Sequence, residues 1–511
     1  MNNRVFLLKP PTKEFSSSFP LNLAYLAAVL RKNGYEVKVL DASARYSIVA
    51  PSEILGEIRD FKPLFVGVTL TYDFIKEKYY LINMIKRLGY PVVAGGPHVN
   101  IVPMEVLGHG VDIVSLGEGE EVVLELAEAF SGKRKLEEVH GLGLRRSDGK
   151  FVFTPRRKEI QDLDSVPFPD YTDYKIRDYI GNDNLDMNKT FFDVFTSRGC
   201  PYRCTYCSAS RTWDGGQRRR SARNVFEEMM MLHEKYGAKH IAFMDNEPLV
   251  DKKRIYELCD LLENSKVKIL ISTRARVDNV DDKLLKRMME VGFYKLAIGV
   301  ESGDDETLRM VKRFYTQEQV LDAMSRLDSI KFPVVHFNNI IGFPWENDKH
   351  LNSTLELNRK IPSSLKYFVN VLTPIPMPGT PLYEEYYERF KFKDWWLDSS
   401  VYEKLLGGMT KDAPLFYVFM PRLKLDYYRV DFWKYSPTMK KKILELQLSL
   451  QKIAYMKNRD FKLLELFFVF LLIKVSVRLF LLSPRLERFL MSPFKHKRMI
   501  AYAGKFIFKE Q

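Results

Sequence analysis

FFDVFTSRGCPYRCTYCSA, residues 191–209, is the stretch on which the fold turns. Its first half is apolar and reads as a buried strand, and its second half carries Cys200, Cys204 and Cys207, three of the four cysteines in 511 residues. The spacing is CxxxCxxC. Three thiolates in so short a loop can hold three irons of a cubane [4Fe-4S] cluster and leave the fourth iron open to a ligand the chain does not supply. A disulfide framework fits poorly, because Cys259 stands alone on a helical stretch and no secretory signal opens the chain. Zinc needs a fourth ligand, usually from a second ligand pair, and the nearest histidine, His233, lies well downstream. An iron–sulfur loop is the favoured reading, with zinc or a plain loop as the alternatives. Cys259 reads as a small buried apolar residue.

Downstream of this loop, helical and strand patterns alternate. Helices are predicted over 222–236, 253–262, 281–290 and 320–327, separated by the strands HIAFMDNE, KILISTRAR and KLAIGVES and followed by VVHFNNIIG and YFVNVLT. With the strand before the cysteines these make six, predicting a partial (β/α)6 TIM barrel over 188–390 whose functional residues lie at the strands' carboxyl ends. Upstream, RVFLL, EVKVLD, LFVGVTL and PVVAGG read as strands, with helices over 21–30, 74–88 and 120–130. Strands alternating with helices predict a doubly wound α/β, Rossmann-like sheet over 1–140. Residues 141–187, rich in Pro, Asp and Arg in irregular order, read as a linker.

The cysteine spacing, with the aromatic Tyr206 before the last cysteine, resembles the radical S-adenosylmethionine (SAM) superfamily. The resemblance implies that SAM binds the open iron and is cleaved to a deoxyadenosyl radical, which abstracts hydrogen from unactivated carbon. It also implies roles at the barrel's strand ends. Glu247 would bind the SAM amino group, although the usual pair of acids stands here as Asp245, Asn246 and Glu247. Arg274 or Arg276 would pair with the SAM carboxylate, and Glu301 would accept from the ribose hydroxyls. IIGFPWE resembles the adenine-side motif, with Trp345 in place of a small residue. Each of these positions has a plainer reading as a solvated strand-end charge or a core aromatic.

FPLNLAYLAAVLRKNGYEV, VVAGGPHVN and LGEGEE resemble the cobalamin-binding domain that precedes one large radical SAM class, which includes hopanoid methylases and the anaerobic magnesium-protoporphyrin cyclase. The resemblance implies a cobalamin tail against the sheet near Thr69, Thr71, Gly95 and Gly96. The DxHxxG sequence that supplies a lower cobalt ligand in other cobalamin proteins is absent, as it commonly is in this class. His98 reads as a polar surface or hydrogen-bonding histidine of a turn rather than a cobalt ligand.

From 391 to 511 the chain is aromatic, basic and predicted to form a mostly helical C-terminal domain. Residues 438–511 hold sixteen Lys plus Arg against five Asp plus Glu, a net +11 of the chain's +14. The companion pattern FKLLELFFVFLLIKVSVRLFLLSPRLERFL is apolar but broken by Glu465, Lys474 and Arg478, a poor spanning helix. As a helix it would bring Lys474, Arg478 and Arg485 within about 40 degrees of one another, with Pro484 interrupting. A basic apolar helix suits an anionic membrane surface; a helical cap on the barrel is the alternative. Nucleic acid is not expected.

These features predict a cytoplasmic enzyme, peripheral on the inner face of the membrane, holding a [4Fe-4S] cluster, SAM and cobalamin. Its partners would be an electron donor such as ferredoxin or flavodoxin and a hydrophobic small-molecule or lipid substrate. The favoured reaction is methylation of an unactivated carbon. The alternatives are radical oxidative cyclisation or carbon–carbon bond formation on a tetrapyrrole or lipid, and a non-catalytic cobalamin or cluster sensor.

Overall fold

The computed structural model of the protein describes residues 2–11, 18–44, 49–146, 148–179, 191–213, 216–398 and 433–458. The basic apolar run over 461–490, with Lys474, Arg478 and Arg485, lies outside them. Among the described residues no helix is long and apolar enough to cross a membrane.

The N-terminal sheet contains β1 (Arg4–Lys9), β2 (Glu36–Asp41), β3 (Phe65–Thr69), β4 (Val92–Gly95) and β5 (Ile113–Ser115), all parallel, in the order β2-β1-β3-β4-β5. Both faces are buried, so strands such as FVGVT are continuously apolar rather than alternating. Helix Leu21–Lys32 packs Leu23, Ala24, Ala27 and Leu30 on one face, and helix Ile75–Arg87 packs Tyr79, Ile82 and Ile85 into a separate apolar cluster. The sheet continues past residue 140. β6 (Leu142–Arg145) and β7 (Phe151–Phe153) form a hairpin that adds antiparallel strands at the β5 edge, so the segment from 141 is not wholly a wrapping linker. An Asp148-Gly149 turn, with Gly149 at φ +81°, lets the chain reverse there. Further along, Tyr171, Tyr174 and Tyr179 surround Phe19, which stacks on Phe192 with ring centroids 5.1 Å apart.

Phe192 belongs to β8 (Phe191–Val194), first strand of the second sheet. The other strands are β11 (His240–Phe243), β12 (Leu270–Arg276), β13 (Phe293–Glu301), β14 (Val334–Ile340) and β15 (Tyr367–Leu372), all parallel and in sequence order. A separate ribbon pairs β9 (Ser197–Gly199) with β10 (Gln217–Arg219). The five longest helices between the barrel strands open on a side-chain cap: Ser221, Asp251, Asp281, Thr316 and Asn347 each accept a backbone N–H of the first turn. Each such cap contributes about 1 kcal/mol and marks where the chain turns from loop to helix.

The helix that follows β15 in sequence, Pro381–Phe390, packs against the N-terminal domain through Leu382, Tyr383 and Tyr386. The outer face of β15 is covered instead by helix Pro437–Asn458, whose Ile443, Leu446 and Leu450 join the barrel core. Part of the segment expected to be a C-terminal domain of its own is thus the barrel's sixth helix. An edge strand with an apolar face must be covered, and among the described residues no segment nearer in sequence does so.

Candidate functional site

The chain leaves β9 through Gly199, at φ +88°, and enters the cysteine loop. Cys204 is buried and Cys200 and Cys207 are half-buried. Burial pushes the Cys200 and Cys207 thiols up, and the neighbouring cysteines add to the effect. Burial and like charge thus disfavour the thiolate forms of Cys200 and Cys207, and added positive charge would favour them. Among the described residues no three His, Cys, Asp or Glu side chains converge on one point as a mononuclear metal requires. Three thiols in one loop are the ligand set a cluster would use, with each thiolate on a different iron. Cys259 is fully buried in the core, with its thiol pushed up to about 12 by burial.

Around this loop the strand-end residues separate into distinct roles. Asp245 accepts from Thr196 N at 3.2 Å, Thr196 Oγ1 at 2.9 Å and Ser197 Oγ, so it ties β9 to the strand-end loop after β11. Glu247 is buried, its carboxyl pushed up to about 7 by burial, and accepts from Asn279 Nδ2 at 3.0 Å. Arg276 is already engaged: it makes a forked pair with Asp278 (2.9 and 3.0 Å), donates to the Arg313 carbonyl at 2.6 Å, and lies 3.7 Å over the Tyr202 ring. Arg274 has a sulfur contact with Met244 at 3.7 Å and no ion pair among the described residues. Of the two arginines, Arg274 retains a charge for an external carboxylate.

Glu301 ends β13 at φ +64°, a left-handed conformation costly for a residue with a side chain, beside a register shift in the β13–β14 pairing. Its carboxylate is ion-paired with Arg313, which also donates to the Tyr206 hydroxyl at 2.9 Å. Gly299 makes room for this pair, since a Cβ there would meet both Glu301 Oε1 and Arg313 Nη2. Arg313, Asn279 and Tyr202 were not singled out from the sequence. Arg313 sits in the loop VKRFYT, which carries no motif.

In the N-terminal sheet a cavity of about 150 Å3 opens at the carboxyl ends of β3, β4 and β5. Thr69, Gly95, Gly96, Gly117, Gly119 and Glu120 line its rim, and Leu23, Leu26, Phe65 and Val123 line its depth. Gly96 has φ +105°, and a Cβ there would lie 2.8 Å from the Leu70 carbonyl. An apolar slot with a glycine rim fits a flat group inserted between sheet and helices. Thr71 is not among the lining residues: its Oγ1 accepts from buried Lys78 at 2.7 Å. His98 is buried, not a surface residue, with Nε2 3.2 Å from Glu105 Oε1 and 3.4 Å from the Tyr79 hydroxyl. That acid and phenol both engage Nε2, while Nδ1 is buried without a partner among the described residues. Helix Pro97–Ile101, which carries it, touches helix Ala209–Thr212, directly after Cys207. Helix Pro97–Ile101, which begins at the Gly96 rim of the cavity, thus touches the segment that follows the cysteine loop.

Comparison with known proteins agrees with this layout. The B12 binding domain family matches residues 16–127, and the radical SAM superfamily matches residues 194–357. The chain is 31% identical over 398 residues to an uncharacterized methyltransferase of Pyrococcus horikoshii, covering 75% of this chain and 82% of that protein. It is 27% identical over 385 residues to the anaerobic magnesium-protoporphyrin IX monomethyl ester cyclase of Rubrivivax gelatinosus, covering 74% and 68%. Among solved structures, the radical SAM methyltransferase TsrM of Kitasatospora setae superposes with a TM-score of 0.64 at 20% identity, over 77% of this chain and 79% of that one. The cofactors that these two domains serve are cobalamin, a [4Fe-4S] cluster and SAM. The chain is an enzyme, and it belongs to the radical SAM family that carries an N-terminal B12-binding domain.

Proposed function

We propose that this enzyme methylates an unactivated carbon of a hydrophobic substrate, with Cys200, Cys204 and Cys207 as the cluster ligands. The bound cofactors supply radical initiation from SAM and a methyl group from cobalamin. The chain's own residues do the orienting. Arg274 is the cation available to a SAM carboxylate, Glu247 accepts from its amino group, and the slot between Gly95, Gly96 and Gly119 takes the cobalamin tail. Glu301, already paired with Arg313, supports the cluster loop through Tyr206 and can accept from the ribose with its remaining lone pairs.

The observation that supports methyl transfer is the abutment of helix Pro97–Ile101, which begins at the Gly96 rim, on helix Ala209–Thr212, which follows the cysteine loop. Support for methylation over cyclisation comes from the relative named a methyltransferase, which is more similar over a larger share of its length than the relative named a cyclase. A hydrophobic lipid or isoprenoid substrate, with peripheral membrane contact, is supported by the basic apolar run over 461–490. A one-electron donor of the ferredoxin or flavodoxin type would reduce the cluster in the cytoplasm.

Methyl-labelled methionine fed to an anaerobic culture, with extraction of lipids and pigments from wild-type and deletion strains, tests this reading. Label in a product absent from the deletion strain is expected. An unlabelled product differing by a new ring or double bond would overturn methylation in favour of oxidative cyclisation.

A further inference from the structure

Between the cavity and the cysteine loop lies a group of charges that the cofactor roles above do not use. β9 and β10 pair antiparallel with Arg198 directly opposite Arg218. Like charges facing each other across a two-stranded ribbon destabilise it, so the ribbon requires acid from elsewhere. The acid comes from the other domain. Glu118 takes Arg198 Nη1 on one carboxylate oxygen at 2.6 Å and Arg218 Nη1 on the other at 2.8 Å, and Arg198 Nη2 donates to Glu120. All four side chains are at least 85% buried. The Ile160 N–H donates to Glu118 at 2.6 Å, Glu159 pairs with Arg218 at 3.2 Å, and the Arg198 guanidinium lies over the Tyr25 ring at 5.7 Å.

The two ends of this square are what give it meaning. On one side, Gly119 and Glu120 line the cavity, and Glu120 opens the helix Glu120–Phe130. On the other, Arg198 is two residues before Cys200, with Gly199 between them in a left-handed conformation and no room for a side chain against Gly216. A shift in the Leu116–Glu120 loop therefore moves Arg198, and through a backbone with little slack it moves the start of the cysteine loop. Buried ion pairs seldom add stability beyond what apolar packing would supply, so the contribution of this square is direction and register rather than strength.

We propose that the Glu118–Arg198–Glu120–Arg218 square couples the cavity to the cysteine loop, so that corrinoid binding and cluster binding reinforce each other. Arg198 is the central positioning residue, because its fork spans both carboxylates. A lysine keeps the charge but cannot span them. The proposal rests on the reading of the cavity as the cobalamin slot and the loop as the cluster site. Coupling of this kind is reciprocal: whatever factor the cluster adds to corrinoid affinity, the corrinoid adds to cluster retention.

The test uses full-length protein, without cluster and after anaerobic reconstitution, titrated with hydroxocobalamin by equilibrium dialysis. Wild-type protein with the cluster is expected to bind at least about fivefold tighter than without it. In Arg198→Lys the ratio is expected to fall to within about twofold of unity, and hydroxocobalamin should no longer slow iron release to a chelator. Glu159→Gln, which alters a pair of Arg218 outside the square, should keep the wild-type ratio. If Arg198→Lys does not fold, Glu118→Gln, which weakens both arginine pairs at once, serves in its place, with the same loss of coupling expected. Equal affinity with and without cluster in the wild type, or an unchanged ratio in Arg198→Lys or in Glu118→Gln where that serves, would overturn the coupling while leaving the cavity reading standing. No binding by either wild-type form would overturn both.

Discussion

Arg313 and Glu301 form a buried ion pair at the carboxyl end of β13, and the same guanidinium donates to Tyr206 within the cysteine loop. The pair joins a strained strand end to the loop that precedes Cys207. Replacing Arg313 by Met leaves the Glu301 carboxylate buried without a partner, which costs on the order of 3–5 kcal/mol. Urea unfolding of Arg313→Met should show that loss, and the double variant Arg313→Met/Glu301→Gln should regain more than half of it. A single-variant loss below about 1 kcal/mol would mean that the pair is not what holds the strand end.

The four cysteines should separate cleanly by iron content. Cys204→Ala, and equally Cys200→Ala or Cys207→Ala, is expected to lower anaerobically reconstituted iron from about four per chain to a small fraction of that, with loss of deoxyadenosine release from SAM. Cys259→Ala should keep its iron and lose about 1 kcal/mol of stability from the core. Full iron in Cys204→Ala would remove that thiol from the ligand set.

Gly96→Ala is expected to weaken hydroxocobalamin binding by about tenfold or more, measured by dialysis. Its Cβ would stand 2.8 Å from the Leu70 carbonyl and 3.0 Å from Thr69 Oγ1, on a residue at φ +105°. Thr71→Ala should leave binding within about twofold, because Thr71 serves Lys78 rather than the cavity; its cost should appear in stability, at roughly 1–3 kcal/mol for a hydrogen bond to a charged group. Equal loss of binding in both variants would return Thr71 to the site.

Glu346 provides a pH test. It is buried, accepts from the Gly342 and Phe343 N–H groups, and has its carboxyl pushed up to about 7 by burial. Between its ordinary pKa of 4.5 and about 7, the unfolded chain loses this proton while the folded chain keeps it. The unfolded state then binds fewer protons, so this group's contribution to stability falls as pH rises through that window. Glu346→Gln should flatten the fall, measured as the difference in unfolding free energy between pH 5 and pH 7. An unaltered slope would assign the dependence to other groups.

Much of the fold was legible because its signals are local. The six barrel strands appear where apolar runs alternate with amphipathic helices, whereas the helix starts after Thr316 and Asn347 were not read: one helix was expected only from 320 and none over Asp348–Lys360. The sixth helix was not legible. Nothing in Pro437–Asn458 says that it returns to cover β15, across 64 residues from the strand's end at Leu372, while Pro381–Phe390 turns to the other domain. The burial of His98 was not legible for a similar reason, although a hydrogen-bonding role was. A histidine after a glycine pair looks like a turn residue until Glu105 and Tyr79 arrive from other helices to bury it.

By itself the sequence determined a parallel α/β chain with a thiolate loop at the first barrel strand and a glycine-rimmed sheet ahead of it, since period, spacing and conformational freedom are properties of neighbouring residues. The tertiary structure decided which charges are already spent. Arg276 is held by Asp278, Glu301 by Arg313, and Arg198 by two carboxylates of the other domain, whereas Arg274 keeps its charge free of any ion pair among the described residues. Ion pairing depends on distance through space and on burial, and neither is written in the order of residues along the chain.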